Sequence, residues 1–431
     1  MAFFRGGVFV GTSCVNPTSP DDAPRILRYD VKRGTWSTVY ESPLIDPQPR
    51  SHVRDRQFGA GRVGRRRSGE TDGAAAKIPR DSGYRSMCVF QGKSDQRPAL
   101  YVSTAARTGA LLLRSTDGAA FEPVSEPGFG DPNVYSFGAL VDFGGWLFAV
   151  PAGTVTDTAL DRNLPPDPSL FVSNDPLKGK WLEGAKSGFG NASNLAISCL
   201  HPAFGRLYAG TANADLGCQV WRMEARNKPP FDWSPVIVDG GGAFNNNFAV
   251  WAMAEFKGAL YVGVGIGGFG YDRVHDLGPA SAELWRIHPN GSWDLIAGQT
   301  RFTADGLKVP LSLLGLGFGD FYNSVVRTLA VHNGVLYLGT TQWEPYRCLE
   351  VQSTDIVGGY QLWASTDGEH WTRVLDDGNG SPADLGVASL LSTEAGLFVG
   401  TNNQGRFLGG VGARHGAAFN FAQGFNILRG I

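Results

Sequence analysis

Short runs of β-branched and aromatic residues, most of them preceded by a turn residue, return along the whole chain. One phrase occurs seven times: GVFVGT (Gly7–Thr12), ALYVST (Ala99–Thr104), WLFAVP (Trp146–Pro151), RLYAGT (Arg206–Thr211), ALYVGV (Ala259–Val264), VLYLGT (Val335–Thr340) and GLFVGT (Gly396–Thr401). Such runs read as strands. A second apolar strand precedes six of the copies, among them YRSMCVF, AVWAMAEF and VVRTLAVH. A hairpin with an aromatic on its far side follows six: Trp36, Phe121, Trp181, Trp233, Trp293 and Trp371. The strands are apolar throughout instead of alternating, as expected where both faces of a sheet are covered. The unit is therefore four antiparallel strands, a to d. Recurring at roughly 50–60 residues, it predicts an all-β fold, a seven-bladed β-propeller forming a single domain over residues 1–431. A solenoid of sheets is the alternative. Only Met1 to Phe4 precede the first copy and no c–d hairpin follows the last. Ring closure is thus expected to mix the two termini in one blade, with Phe425–Ile431 as the closing strand.

Composition agrees with many short elements. Gly 59 and Pro 25 suit tight turns, and 42% hydrophobic against 18% charged residues suits a large core. A formal net charge of −2 leaves no global positive field for nucleic acid or an anionic membrane. No window approaches the ~18 consecutive apolar residues of a membrane span. The five cysteines include no C-x-x-C pair, which favours reduced thiols over a disulfide framework or structural zinc. The start MAFFRGGVFVGTS lacks the apolar stretch of a signal peptide, so a cytoplasmic protein is expected.

Strand direction separates two faces. With a to d alternating, the d–a and b–c loops emerge together, opposite the a–b and c–d turns. The long segments fall almost entirely on the first face: 41–82, 152–169, 265–281, 298–322 and 341–359. Long irregular loops in a compact domain are usually functional, which marks this face as the binding surface. The segment 42–82, between blades 1 and 2, is an Arg-rich basic insertion. It reads as a solvated loop, with steering of an anionic partner as the sharper alternative.

Four blades place asparagine after a Gly/Phe-rich turn at the start of strand a: Asn133, Asn194, Asn247 and Asn323. A ring of amides would line the axial mouth, unless each asparagine merely closes its turn. Aligning the a strands on Met87, Leu140, Cys199, Met253, Leu329 and Leu391 sets Arg85 and Arg327 level with Gly138, Ile197, Trp251 and Ser389. An arginine on an innermost strand needs a carboxylate, a carbonyl, water or an anionic ligand. Tyr84, Tyr135, Tyr322 and Trp251 would supply aromatic walls and a phenolic donor or base. The candidates are thus Arg85, Arg327 and Tyr322 for catalysis and the remaining tyrosines, Trp251 and the four asparagines for ligand binding.

No H-E-x-x-H motif occurs, and the histidines do not converge as in seven-bladed carotenoid-cleaving enzymes. No metal site is expected from them. The acids of YDRVHDLGP (Tyr271–Pro279) leave calcium open as a cofactor but match no EF-hand loop. GVGIGGFG (Gly263–Gly270) lacks the βαβ context of a dinucleotide fingerprint.

Two hairpins carry a sharper signature, STDGAAF (Ser115–Phe121) and STDGEHW (Ser365–Trp371), with SNDPLKGKW (Ser173–Trp181) a looser relative. They resemble the Asp-box of sialidase-like propellers with one spacing residue missing, and as c–d turns they imply a folding staple, not a catalytic site. Beyond these turns, the phrases loosely resemble the propeller part of bacterial enzymes that couple alkyl chlorides to resorcinol or carboxylate nucleophiles. Those enzymes' calcium-binding domain has no counterpart here. That resemblance implies natural-product tailoring, with an arginine holding the leaving halide and a Tyr or Asp activating the nucleophile. The sialidase-like resemblance implies three arginines around a carboxylate and a Tyr–Glu pair; Arg85, Arg327 and Tyr322 would serve, with a third arginine and the glutamate not evident. A non-catalytic ligand- or protein-binding propeller is the remaining alternative. In each case the expected partner is a small molecule or protein, not nucleic acid.

Overall fold

The computed structural model describes residues 1–14, 17–47, 76–155, 164–224, 228–353, 355–414 and 421–430. The chain is mostly β and its strand pairings repeat. The first group is Ala2–Phe4, Gly7–Gly11, Arg25–Asp30 and Thr35–Glu41, each strand antiparallel to the next. The second is Asp81–Phe90, Ala99–Ala106, Leu112–Ser115 and Glu122–Pro123. The third, fourth and fifth begin at Val134, Asn194 and Ala249, and the sixth is Asn323–His332, Val335–Gln342, Leu362–Ser365 and Thr372–Leu375. The last has three strands, Asp384–Thr393, Gly396–Asn403 and Ile427–Gly430.

Hydrophobic burial fits this arrangement, which is β-propeller-like. Every residue of Ala99–Ala106 is buried, so that strand is covered on both faces. The core is divided into clusters that lie between successive groups, such as Tyr208, Val220, Val262 and Trp285 between the fourth and fifth. Single backbone bridges link some neighbours, for example Ala212 with Ala249 and Gly265 with Val325. The last group meets the first through Val8, Val10, Tyr29 and Phe398, the two rings 5.9 Å apart.

This corrects the expected closure. Ala2–Phe4 pairs with Gly7–Gly11 in its own sheet, and Ile427–Gly430 pairs with Gly396–Asn403 in its own. Among the described residues the termini share no sheet. The short stretch Ala2–Phe4 suffices because the two-residue turn Arg5–Gly6, both left-handed (φ 46° and 70°), folds it straight back.

Of the basic segment 42–82, residues 48–75 lie outside the described residues; its base is a ribbon of Leu44–Ile45 with Ile78–Pro79. A second ribbon, Arg301–Thr303 with Gly306–Lys308, rises between the fifth and sixth groups. Two helices, Glu344–Glu350 and Gly405–Arg414, follow the b strands of the last two groups and pack against each other around Leu349, Leu408 and Val411. No helix among the described residues is long and apolar enough to cross a membrane, and no disulfide joins the cysteines.

The two STDG turns are hydrogen-bonded alike. Ser115 Oγ accepts from Gly118 N–H, and Asp117 Oδ1 from the N–H groups of Ala119 and Ala120. Ser365 and Asp367 repeat this with Gly368, Glu369 and His370. Those bonds hold the Asp117 carboxyl below the usual range, and at Asp367 the His370 ring, with the same backbone bonds behind it, does so too. At Gly368, φ is 87° and a Cβ would stand 1.8 Å from Tyr261 Oη, so the turn seats directly on the neighbouring sheet.

Candidate functional site

A cavity of about 960 Å³ runs between the a strands, lined by residues from every group, among them Val10, Arg85, Gly138, Ser198, Trp251 and Arg327. Its wall is set by a repeated bulge. Midway along each of six a strands a residue drops out of register with strand b: Gly138, Ser198, Trp251, Arg327 and Ala388, with Arg85 in the shifted stretch between Tyr84 and Met87. A bulge leaves its residue unpaired and re-aims the side chain. The sequence alignment is one residue out in two strands. Ser198 and Ala388, not Ile197 and Ser389, stand level with the arginines, because the residues that match Met87 and Met253 in register are Leu200 and Leu390, each next to the Cys199 and Leu391 used as anchors.

Arg85 is open to the cavity and Arg327 partly so. Both lie deep in the molecule, where loss of solvation disfavours charge. Arg327 is pushed down to about 10, first by burial and then by the charge of Arg85. Burial also lowers Arg85, with Tyr135 opposing. The Arg327 guanidinium lies over the Trp251 ring, 4.7 Å from its centroid. Trp251 is itself anchored, its Nε1 donating to Gly265 O at 3.2 Å. No salt bridge to Arg327 is formed among the described residues.

The asparagines stand elsewhere. Asn194, Asn247 and Asn323 are buried, and each Nδ2 donates to the carbonyl of the glycine six or seven residues back, Gly188, Gly240 and Gly317, at 2.9–3.0 Å. Those glycines open a short left-handed turn, with Gly317 and Phe318 at φ 61° and 62°. Each Nδ2 also donates to an acceptor on strand c or just before it, Gln219, Glu283 or Gln361, which in turn accepts from Trp221, Trp285 or Trp363. These amides are engaged in a structural lattice and do not line the cavity. In the third group the equivalent position is Val134; Asn133 precedes it and is exposed.

The tyrosines divide as well. Tyr84 lines the cavity, but its hydroxyl donates to Asp81 at 3.1 Å, and Asp81 is paired with Arg80 at 2.9 Å. Burial, then Asp81, raises Tyr84 above the usual phenol range. Tyr135 is buried and near enough to Arg85 to act on its charge. Tyr322 packs edge-on against Trp343 at 4.9 Å, outside the cavity lining. The catalytic trio proposed from sequence is therefore not assembled: Arg85 and Arg327 share the cavity, Tyr322 does not.

Other groups are brought to the mouth. Arg273 Nη2 donates to Tyr346 Oη at 3.0 Å. Tyr346 sits beside the Glu350 carboxylate one helical turn on; burial and that carboxylate raise the phenol, with Arg273 opposing. Phe269, Tyr346 and Phe407 stack nearly parallel, with centroids 4.9 and 5.3 Å from Phe269. All line the same cavity, as do Asp272 and Arg414. They come from three separate segments after strand b and share no sequence period, so only their loop lengths hinted at them.

Within Tyr271–Pro279, Asp272 accepts from the N–H groups of Val274 and His275, and Asp276 from the Tyr271 hydroxyl. Among the described residues no group of three or more His, Cys, Asp or Glu side chains is placed to hold a metal ion.

No family model and no curated protein matches the chain. Among solved structures it is similar to YCF48 from Cyanidioschyzon merolae (11% identity, TM-score 0.40, covering 74% of this chain and 79% of that one). It is similar to the tricorn protease (10%, 0.40, 94% and 34%) and a thermostable family-43 glycoside hydrolase (12%, 0.32, 74% and 94%). These likenesses are remote; the functional reading rests on the chain's own residues.

Proposed function

We propose that the seven groups form a seven-bladed β-propeller and that the chain is a small-molecule-processing enzyme whose site is the central cavity. The observation that carries this reading is Arg327: a guanidinium stacked on a pinned indole, deep in a 960 Å³ cavity, without a carboxylate partner among the described residues. Stacking leaves the edge of its planar fork available to a bidentate anion. With Arg85 in the same cavity, the site favours a substrate carrying negative charge. For natural-product alkylation, an arginine would hold the leaving halide, and Tyr346 or Asp272 would be placed to activate a nucleophile.

A second reading, a sialidase-like glycoside hydrolase, is favoured by one specific arrangement. Arg273 supplies a third arginine to the cavity lining and Tyr346 with Glu350 a Tyr–Glu pair. Turnover of a fluorogenic sialoside would select it over alkylation. For either reading, Arg327→Gln is expected to lower turnover at least ~100-fold while the thermal melt stays cooperative. Unchanged turnover would leave a binding propeller whose cavity does no chemistry.

A further inference from the structure

The lining of the cavity changes in layers along the a strands. Arg85, Ser198, Trp251 and Arg327 occupy the fifth place counted from Asp81, Asn194, Asn247 and Asn323. Two residues further on stand Met87, Leu200, Met253, Leu329 and Leu390, an apolar layer. In the other direction, toward the long loops, stand Phe269, Tyr346, Phe407 and Val411. The arginine layer thus lies between an apolar layer and a mouth where the aromatic wall stands beside Asp272, Arg273, Glu350 and Arg414.

Two features give the upper layer its form. The three rings are held nearly parallel, at interplanar angles of 12° and 13° to Phe269. They are gathered from three segments: the loop 265–281 and the two helices. Each ring is only partly buried. Their remaining surface belongs to the cavity wall, where water is held against apolar surface at a cost that an apolar guest would relieve.

We infer that the cavity takes a carboxylate carried on an apolar body, the carboxylate on the Arg327 fork above Trp251 and the body against Phe269 and Phe407. This rests on the cavity being the functional site and goes further by naming the ligand class. Small inorganic anions satisfy the arginine layer but leave the aromatic wall wet. Neutral apolar molecules satisfy the wall but leave the guanidinium uncompensated. Only a molecule with both parts meets both layers, and the sheet register fixes its order, acid inward and body outward.

Titration calorimetry of the full chain with acetate, hexanoate, 4-phenylbutyrate and 4-phenylbutyramide tests this. The expected result is that 4-phenylbutyrate binds at least ~10-fold more tightly than acetate, from the added apolar area. Its amide should lose at least ~10-fold, from the missing charge. Phe407→Ala should flatten the dependence on body size while leaving acetate unchanged; Arg327→Gln should flatten the difference between acid and amide. Thermal melts of both variants confirm the fold. If Arg327→Gln weakens every acid equally while acetate binds as well as phenylbutyrate, the ligand class is wrong and the cavity reading stands. If neither variant alters any titration, the probes are outside the cavity and both readings fall.

Discussion

In the fifth group of strands Glu283 occupies the slot that Gln361 fills in the sixth. Each accepts a hydrogen bond from an asparagine amide at 2.7 Å and from an indole N–H at 3.1 Å. Both are 1% exposed. Gln361 completes its bonding by donating Nε2 to Asp320 at 2.8 Å. Glu283 has nothing to donate and carries a charge. It is met by Arg301, whose Nη1 and Nη2 reach the two carboxylate oxygens at 2.7 and 2.8 Å. Arg301 comes from the ribbon that the sixth group lacks, and its Nε also donates to Gly241 O at 2.8 Å. The slot requires only an acceptor oxygen. A neutral amide serves within its own sheet, whereas a buried carboxylate must bring a cation, and here that cation anchors an entire arm.

Removing the cation alone should have the largest effect. Arg301→Ala strands a buried carboxylate and is expected to cost about 3–5 kcal/mol in denaturant unfolding. Gln361→Glu moves the fifth group's acid into the sixth, against Asp320 and without a guanidinium. A loss of about 1–3 kcal/mol is expected. A like charge raises a carboxyl's pKa, so this loss is full near neutrality and recovers as acid protonates the new side chain.

His201 extends the comparison to a titratable acceptor. Its Nε2 accepts Glu255 N–H at 3.2 Å, which needs the neutral ring, and burial lowers it to about 4. The unfolded chain then binds the extra proton first. Stability should therefore fall as pH drops from about 6.5 to about 4, by roughly 1–3 kcal/mol, and His201→Gln should flatten that slope. The smallest effect belongs to Glu283→Gln combined with Arg301→Gln. Replacing charge and countercharge together should leave stability within about 1 kcal/mol of the original. A larger loss would mean that the ion pair itself, not the acceptor, is what the slot needs.

The repeat was legible because a strand covered on both faces has a plain signature, and the same alignment set Arg85 and Arg327 on one wall. Single-residue accuracy failed in two strands where adjacent apolar residues, Cys199 beside Leu200 and Leu390 beside Leu391, fit the pattern equally well and only the register with strand b separates them. The asparagines misled for a related reason. A buried amide closing a left-handed turn and an amide facing a ligand need the same residue after the same glycines; only the partners, Gly317 O and Gln361 for Asn323, tell them apart. Tyr346, Glu350 and Arg273 were out of reach because separate, non-repeating loops bring them together. Closure failed on a simpler point: three residues, Ala2–Phe4, are enough for an a strand when a two-residue turn returns them at once.

That self-contained closure has a mechanical side. No backbone pairing crosses from the last sheet to the first among the described residues; Val8, Val10, Tyr29 and Phe398 make the join by side chains. In the ring proposed above, such a join would act like a split washer: prised apart there, it would widen the bore while every ladder of amides stays intact. The force required scales with the apolar area separated there, so trimming Phe398 would loosen the washer without unravelling a single strand.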